Sequence, residues 1–414
     1  MEEKNCRVCG SEFTFFLDLG EMPAANALIR EEDLDKEEYK YHLGACFCEN
    51  CKMVQLLEVP PYEKYIIPNS EGKRNYLFFS STSEFMKKHF AEYAKEMRDK
   101  FMKEGEMIID IGSNDGILLQ AEALKDVKVL GVEPSHNTAE VARGKGVETI
   151  TDFFTEELAK KIVEEKGKAK VIVSANVILN IADLHEVMKG VNELLDEGGV
   201  FVFQDPYMPE ILDKNAFDQF YDEHVYYFSI MSLANLARMY DMEVFNVSKH
   251  EVHGGSMRVY MKRKSDPKEV SESVKKALDL EKEMGLDKKE TYIQFAERVK
   301  ELREKLVYEV KKLKEDGKKI VGYAASSKGN IVLNYCNLGN DVVDYISDNT
   351  PEKQGLYSPG MHIPIVNPEK FQEDQPDYAL MLAWNHSKEI LEKEKEFREK
   401  GGKFIVYIPE FQIV

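Results

Sequence analysis

Hydrophobic and polar positions along this chain change period several times, and each change marks an element. From Ser83 to Lys103 the apolar residues Phe85, Met86, Phe90, Tyr93, Ala94, Met97 and Phe101 recur at steps of three and four, which predicts an amphipathic helix. Between Met107 and about Val252 the β-branched runs MIIDIG, VKVLGVEP, KVIVSAN, GGVFVFQD and MEVFNVSKH alternate with helical patterns. Such alternation predicts a doubly wound α/β sheet. From Asp266 to Asp316 glutamates and lysines are interspersed as on a solvated helix face, so the stretch reads as a helical bridge between two lobes. The strand, turn and helix pattern then restarts with KKIVGYAASSKG, DVVDYISDN, PDYALMLAWN and GGKFIVYIP. Residues 1–74 carry no strong helical period and read as short strands and turns around paired cysteines. The pattern predicts three domains, over 1–74, 75–300 and 301–414, with no internal repeat.

Composition agrees with this division. A chain of 414 residues with 43% hydrophobic content exceeds what a single core needs. With 56 basic and 75 acidic residues the net charge is -19, which repels a phosphate backbone and excludes a broad nucleic-acid surface. A local basic pocket for one small anion stays open. MEEKNCRVCG has neither the basic nor the apolar region of a secretion signal, and no apolar run is long enough to span a membrane, so a cytoplasmic protein without a membrane partner is expected. Abundant lysine and glutamate point to a thermophilic source.

Six cysteines in a reducing compartment call for a metal or a catalytic explanation rather than disulfides. Cys6-x-x-Cys9 and Cys48-x-x-Cys51 are two knuckles, each able to present two thiolates to one tetrahedral zinc ion. Four thiolates close the shell and leave no position for an activated water, so the ion is expected to be structural. Cys46 lies close enough to Cys48 to compete for the metal, and Cys336 reads as a small core residue.

Asp110, Gly112, Asn114, Asp115 and Gly116 form a glycine-bearing turn that follows an apolar strand and is expected to open a helix. In a doubly wound sheet that is the ligand-binding edge. Glu133 closes the next strand 21 residues after Gly112, where a carboxylate can accept from both hydroxyls of a ribose. The spacing is not that of dinucleotide binding; it resembles motif I of class I methyltransferases, which implies S-adenosylmethionine. Asp152, Phe153 and Phe154 stand where such enzymes place an acid and an aromatic near adenine. Ala175 and Asn176 end the fourth strand beside the methyl donor.

Phe217-Asp218-Gln219-Phe220-Tyr221-Asp222-Glu223-His224 follows the strand VFVFQDPY and brings a phenol, carboxylates and an imidazole to the same edge, as general acid-base work requires. Here nearly the whole chain resembles the sugar C-methyltransferases that act on nucleotide-linked 4-keto-deoxysugars at the 3-position. The motifs run in order: CxxC…CxxC-x-MVQL, YLFFSSTS from Tyr76, DIGSNDG, TDFF, SAN, FDQFYDEH, VHGGSMR around His253, GYAASSKGN, DNTPEKQG, PGMHIPI and AWNH. The resemblance implies a class I, Rossmann-like methyltransferase domain between a small N-terminal zinc-binding domain and a C-terminal Rossmann-like α/β domain. It also implies a small-molecule nucleotide-sugar partner, dTDP-linked in type.

For that chemistry a carbon beside a ketone must lose a proton before it attacks a sulfonium methyl. His224 is the candidate base. Glu223 is expected to orient its imidazole, while Tyr221 and Tyr76 hydrogen-bond the keto oxygen or another sugar oxygen. His253 either touches substrate or pins its glycine turn. Asn180 stands where many antibiotic-pathway relatives carry histidine, and asparagine cannot shuttle a proton. Pro68 to Arg74 reads as a short insertion before Tyr76.

In the C-terminal domain, Ser326, Ser327 and Lys328 follow a strand and open a helix, so amides, hydroxyls and one ammonium can meet a pyrophosphate. Trp384, beside Asn385 at a strand end, either stacks on the nucleotide base or fills the core. An O- or N-methyltransferase of a nucleotide sugar and an inactive nucleotide-sugar-binding scaffold stay open as alternatives. The sugar, the ring carbon and the choice between monomer and dimer are not legible.

Overall fold

The computed structural model describes residues 5–64, 73–76 and 79–414. Most of the stretch from Pro68 to Arg74, and Leu77 and Phe78 of the YLFFSSTS run, lie outside the described residues. Among the described residues no helix is long and apolar enough to cross a membrane.

The N-terminal module is an antiparallel sheet of β1 (Thr14–Pro23), β2 (Lys40–Phe47) and β3 (Val54–Leu56). Its fourth strand comes from far along the chain: Val54 and Gln55 pair with Tyr227 and Tyr226, just beyond His224. The module thus completes its sheet with the end of the FDQFYDEH segment.

The central domain runs α1 (Glu84–Phe101), β4 (Met107–Ile111), β5 (Lys128–Val132), α2 (His136–Gly144), β6 (Thr149–Ile150), α3 (Glu156–Lys166) and β7 (Ala169–Ala175). It continues through α4 (Leu184–Leu194), β8 (Leu195–Pro206), α5 (Met208–Asp213), β9 (Tyr226–Tyr227), α6 (Ile230–Arg238), β10 (Met242–His250) and β11 (Ser256–Arg263). Seven strands form one sheet in the order β10-β11-β8-β7-β4-β5-β6. Only β11 runs against the others, because it pairs antiparallel with both β8 and β10. The order turns at β4, whose neighbours are β5 and β7, and the crevice beyond its carboxyl end is where ligands bind in such sheets. Ser83 caps α1 by accepting from the Met86 amide. The apolar stripe of α1 is buried as expected except at Phe85, which is 55% exposed at the first turn.

The charged stretch is two helices, α7 (Glu272–Glu283) and α8 (Lys289–Glu315), broken near Gly285 at φ 74°. On α8, Tyr292, Phe295, Val299, Leu302, Leu306 and Val310 form a buried stripe, and Tyr292 stacks on Phe47 of β2 with centroids 4.2 Å apart. The helix is therefore half solvated and half core, binding the first sheet to the C-terminal domain.

That domain contains β12 (Ile320–Tyr323), α9 (Ser327–Tyr335), β13 (Ile346–Ser347), β14 (Ile365–Val366), α10 (Pro368–Asp374), β15 (Tyr378–Met381), α11 (Ser387–Lys393), α12 (Lys395–Glu399), β16 (Lys403–Val406) and β17 (Gln412–Ile413). The sheet order is β14-β13-β12-β15-β16-β17, parallel but for β17. One core cluster joins Phe16, Leu43 and Phe47 of the first sheet to Phe217 and Phe220 of the FDQFYDEH segment and to Ile331, Leu382 and Trp384 of the C-terminal domain. The first sheet and the C-terminal sheet meet at the FDQFYDEH segment.

Candidate active site and metal centre

The knuckles are built by backbone. The Cys6 carbonyl accepts from the Gly10 amide at 2.8 Å and the Cys48 carbonyl from the Lys52 amide at 2.8 Å, each closing a tight turn around its thiols. The Sγ atoms of Cys6, Cys9, Cys48 and Cys51 all lie within 4.8 Å of one another, with Cys6 to Cys51 at 3.6 Å and Cys9 to Cys48 at 3.5 Å. Tetrahedral zinc with bonds of about 2.3 Å sets its sulfurs about 3.8 Å apart, so the tetrad fits the ion. Cys46 stands outside this group, within β2 opposite Phe15 and Gln55. Cys336 is buried in the core, where desolvation pushes its thiol up to about 12.

Beyond β4, Gly112 adopts φ 73°, and a Cβ there would lie 2.4 Å from the Val177 side chain, so only glycine lets the loop pass. Asn114, at φ 49°, donates its amide to Glu133 Oε2 at 2.9 Å, and Ser135 donates its amide to Glu133 Oε1 at 2.8 Å. Burial raises the Glu133 carboxyl while these two amides hold it down, which leaves an oriented carboxylate with lone pairs to spare. Asp110 is buried and raised by desolvation and by Glu133. One oxygen of Asp115 is committed to the protein: Oδ2 accepts from the Ser81 amide at 3.2 Å, the Ser81 hydroxyl, and Lys145 Nζ at 3.1 Å, while Oδ1 has no partner among the described residues. The expected helix after this loop does not form. Residues after Gly116, itself at φ 77°, make a single turn from the Gln120 amide to the Gly116 carbonyl, and Ala121 returns to extended backbone.

Asp152 is exposed and accepts from the amide of Phe153 at 2.8 Å. Phe154 is buried against Gly190, where a Cβ would come within 2.8 Å of its ring. Phe153 is half-buried, with the Arg74 guanidinium 4.6 Å from its ring centroid and the Tyr62 ring at 5.0 Å. Tyr76 is tied over α2 by paired bonds with Asn137, at 3.0 and 2.8 Å. Asn176 adopts φ 56° after β7, next to Ala175, and its Oδ1 has no partner among the described residues; the same holds for Asn180 Oδ1. A glutamate with free lone pairs, a glycine turn and left-handed asparagines at two strand ends fit a nucleoside bearing an amino acid.

In the FDQFYDEH segment the structure corrects one expectation. Glu223 does not touch the imidazole; it accepts from Tyr76 OH at 2.8 Å and from Asn26 Nδ2. His224 is instead oriented by the carbonyl of Gln219, 3.0 Å from Nδ1, and by Tyr221 OH, 2.7 Å from Nε2. A carbonyl only accepts, so Nδ1 carries the proton and Nε2 the lone pair that takes the Tyr221 hydroxyl. The reason is the tight turn, which brings the Gln219 backbone under the ring five residues on. Burial and the Lys328 cation hold the imidazole well below its ordinary range, hence neutral.

Around this turn, Gln219 Nε2 donates to the His253 carbonyl at 2.8 Å. His253 itself sits at φ 53° and is pushed down to about 3 by burial. Trp384 is packed rather than presented: it is 8% exposed, and its Nε1 donates to Asp218 Oδ2 at 2.6 Å. Ser326 caps α9 through the Gly329 amide and donates to the Leu382 carbonyl at 2.6 Å, and Ser327 Oγ donates to Asn26 Oδ1 at 2.8 Å. Both hydroxyls are thus engaged. Lys328 Nζ makes no hydrogen bond or ion pair among the described residues; it lies 6.0 Å from the Trp384 ring, and burial lowers it to about 8. Asn385 is half-buried in the neighbouring turn. Sequence reasoning missed Asn26, Gln219 and Lys145, none of which stands in a pattern that signals its distant partner.

Three family models match in chain order: "Putative zinc binding domain" over residues 6–65, "Methyltransferase domain" over 83–247 and "C-methyltransferase C-terminal domain" over 251–409. The C-methyltransferase NovU of Streptomyces niveus is 34% identical over 411 residues, 99% of this chain and 96% of that one. The ubiquinone biosynthesis O-methyltransferase of Chelativorans sp. (strain BNC1) is 27% identical over 111 residues, 27% of this chain and 44% of that protein. Among solved structures, an S-adenosylmethionine-dependent methyltransferase of Thermotoga maritima is 20% identical and covers 44% of this chain and 92% of its own, with a TM-score of 0.33. Matched from end to end by a C-methyltransferase and carrying the cysteine tetrad, the chain belongs to the S-adenosylmethionine-dependent C-methyltransferases with an N-terminal zinc-binding domain.

Proposed function

We propose that the chain methylates the carbon beside the ketone of a nucleotide-linked, dTDP-type 4-keto-deoxysugar. The observation that carries this reading is a neutral imidazole whose basic nitrogen faces a half-buried tyrosine hydroxyl, with a lysine ammonium, unpaired among the described residues, close enough to depress it. The Tyr221 oxygen takes the ring proton as its own proton passes to His224 Nε2, so the base is His224 and Tyr221 is its relay. S-adenosylmethionine, when bound, supplies an electrophilic methyl in line with the resulting carbanion. Glu133 accepts the ribose hydroxyls of that donor. Asp110, Gly112, Asn114, Asp115, Gly116, Asp152, Phe153, Phe154, Ala175 and Asn176 border the rest of its site.

Asn180 and His253 give neutral donors to sugar oxygens, including the one on which enolate charge collects. Glu223 and Tyr76 hold a sugar hydroxyl. Lys328 meets the pyrophosphate, flanked by Ser326, Ser327, Trp384 and Asn385. A cytoplasmic protein divided near residues 74 and 300, acting as monomer or dimer, belongs to the same reading.

Mass spectrometry of dTDP-4-keto-6-deoxyglucose incubated with S-adenosylmethionine tests it. His224→Ala should abolish product and ring-proton exchange with deuterated solvent while keeping affinity for S-adenosylhomocysteine within about twofold, because the imidazole acts on sugar. Equal loss of that affinity by calorimetry would contradict the assignment.

A further inference from the structure

Asp222 and Glu223 are adjacent buried carboxyls, and two such neighbours in a dry site do not both ionise readily. What faces each decides which one carries the charge. Glu223 accepts from two side chains, Tyr76 OH and Asn26 Nδ2, whereas Asp222 accepts from the Ala25 amide at 3.2 Å and leaves Oδ2 without a partner among the described residues. Among the described residues, the other titratable groups beside the pair are Tyr39, Tyr41 and Tyr227, which face Asp222, Tyr76, which faces Glu223, and Tyr221, which lies close to both. Both Ala25 and Asn26 come from the zinc-binding module, just after β1.

Asn26 is itself held from the far side. Ser327 Oγ donates to its Oδ1 at 2.8 Å, and Asn330 Nδ2 donates to the Ala25 carbonyl at 2.7 Å, both from α9. A carboxylate only accepts, so the Asn26 amide has one productive orientation, nitrogen toward Glu223 and oxygen toward Ser327. A flipped amide would set oxygen against oxygen unless Glu223 were protonated.

We infer that Asn26 is a positioning residue of the active site: the zinc-binding module inserts it between α9 and the catalytic turn, where it selects Glu223 over Asp222 as the ionised carboxyl. This rests on the reading of the Tyr221 to His224 turn as catalytic. Burial raises both carboxyls, Asp222 to about 8, while the Tyr76 and Asn26 donors hold Glu223 down, in agreement with that selection.

Infrared difference spectra of the ligand-free enzyme across a pH titration test it, with the band lost in Glu223→Gln assigning the carboxyl. Asn26→Ala should raise the midpoint of that band by about one pH unit, and should move the acid limb of kcat/KM for dTDP-4-keto-6-deoxyglucose upward by as much. Asn26→Asp, which keeps the volume and the Ser327 contact, should shift it further and so serves if the alanine variant does not fold. Ser327→Ala frees the amide to flip and should shift the band in the same direction by less. Binding of S-adenosylhomocysteine should stay within about twofold throughout. An unchanged midpoint in both Asn26 variants overturns the inference. If Glu223→Gln instead turns over normally with its acid limb intact, the inference falls and the role given to Glu223 with it, whereas normal turnover of His224→Ala sinks the reading of the turn itself.

Discussion

Lys328 supplies locally the positive charge that the chain, at -19 overall, lacks. Burial favours its neutral form and brings it to about 8, with the Asp218 carboxylate pulling the other way. The ammonium is therefore present below about pH 8 and is lost as the pH rises through it. If it meets the pyrophosphate, KM for the nucleotide sugar should rise by up to about tenfold per pH unit above 8 while kcat changes far less. Lys328→Met should raise KM already at pH 7 and erase that dependence; a pH-independent KM in the parent would disprove the contact. Glu133, Lys328 and the cysteine pairs were legible in the sequence because each sits beside a local signal, a strand end, a helix start or a knuckle. Asn26 was not, because its partners are Glu223 and Ser327, 197 and 301 residues away, and nothing around it marks a site. The same distance explains Glu223: adjacent to His224 in sequence, it turns toward Tyr76 instead.

At the scale of elements, β-branched runs located the strands β4, β5, β7 and β8 because buried parallel strands leave continuous apolar tracts, and the edge strand β10 because its burial alternates. Shorter elements escaped it. β9 is two residues long and has no period, yet it fixes the end of the Tyr221 to His224 turn to the zinc-binding module. The expected helix after DIGSNDG failed at Gly116, where positive φ and the return to extended backbone at Ala121 leave room for one turn. The turn Val252–Gly254 shows how such a short piece acts. Gly254 sits at φ 88°, and a Cβ there would come within 2.7 Å of Trp384 and 3.2 Å of Gln219 Nε2. Gly254→Ala should cost about 1–3 kcal/mol, through backbone strain and the shift of Trp384, lowering the melting temperature by several degrees. Because Gln219 also orients His224, turnover should fall more than stability alone explains, with S-adenosylhomocysteine affinity kept. A variant with normal turnover would show that the turn is only packing.

Across the whole molecule the zinc-binding module belongs to two cores at once. Its knuckle residues Cys6, Val8, Cys48 and Cys51 pack with the central sheet, while Leu17, Leu43 and Phe47 pack with α8, the FDQFYDEH segment and the C-terminal domain. Four converging thiolates repel one another without a cation, so the knuckles depend on zinc for their turns. Metal analysis should find about one zinc per chain. Removing it frees the loop that closes β2 onto β3, and with it the strand that holds Tyr226 and Tyr227 and the segment that carries Asn26. Glu133 and the glycine loop, by contrast, are anchored entirely within the central sheet and its own connections. Stepwise chelation should therefore abolish turnover and ring-proton exchange while S-adenosylhomocysteine still binds within a few-fold of the parent affinity. Calorimetry on partly chelated protein, followed by re-addition of zinc, separates this from global unfolding. Turnover that survives full chelation would detach the module from the active site, and cofactor affinity that falls in step with zinc would make the ion a support of the central domain instead.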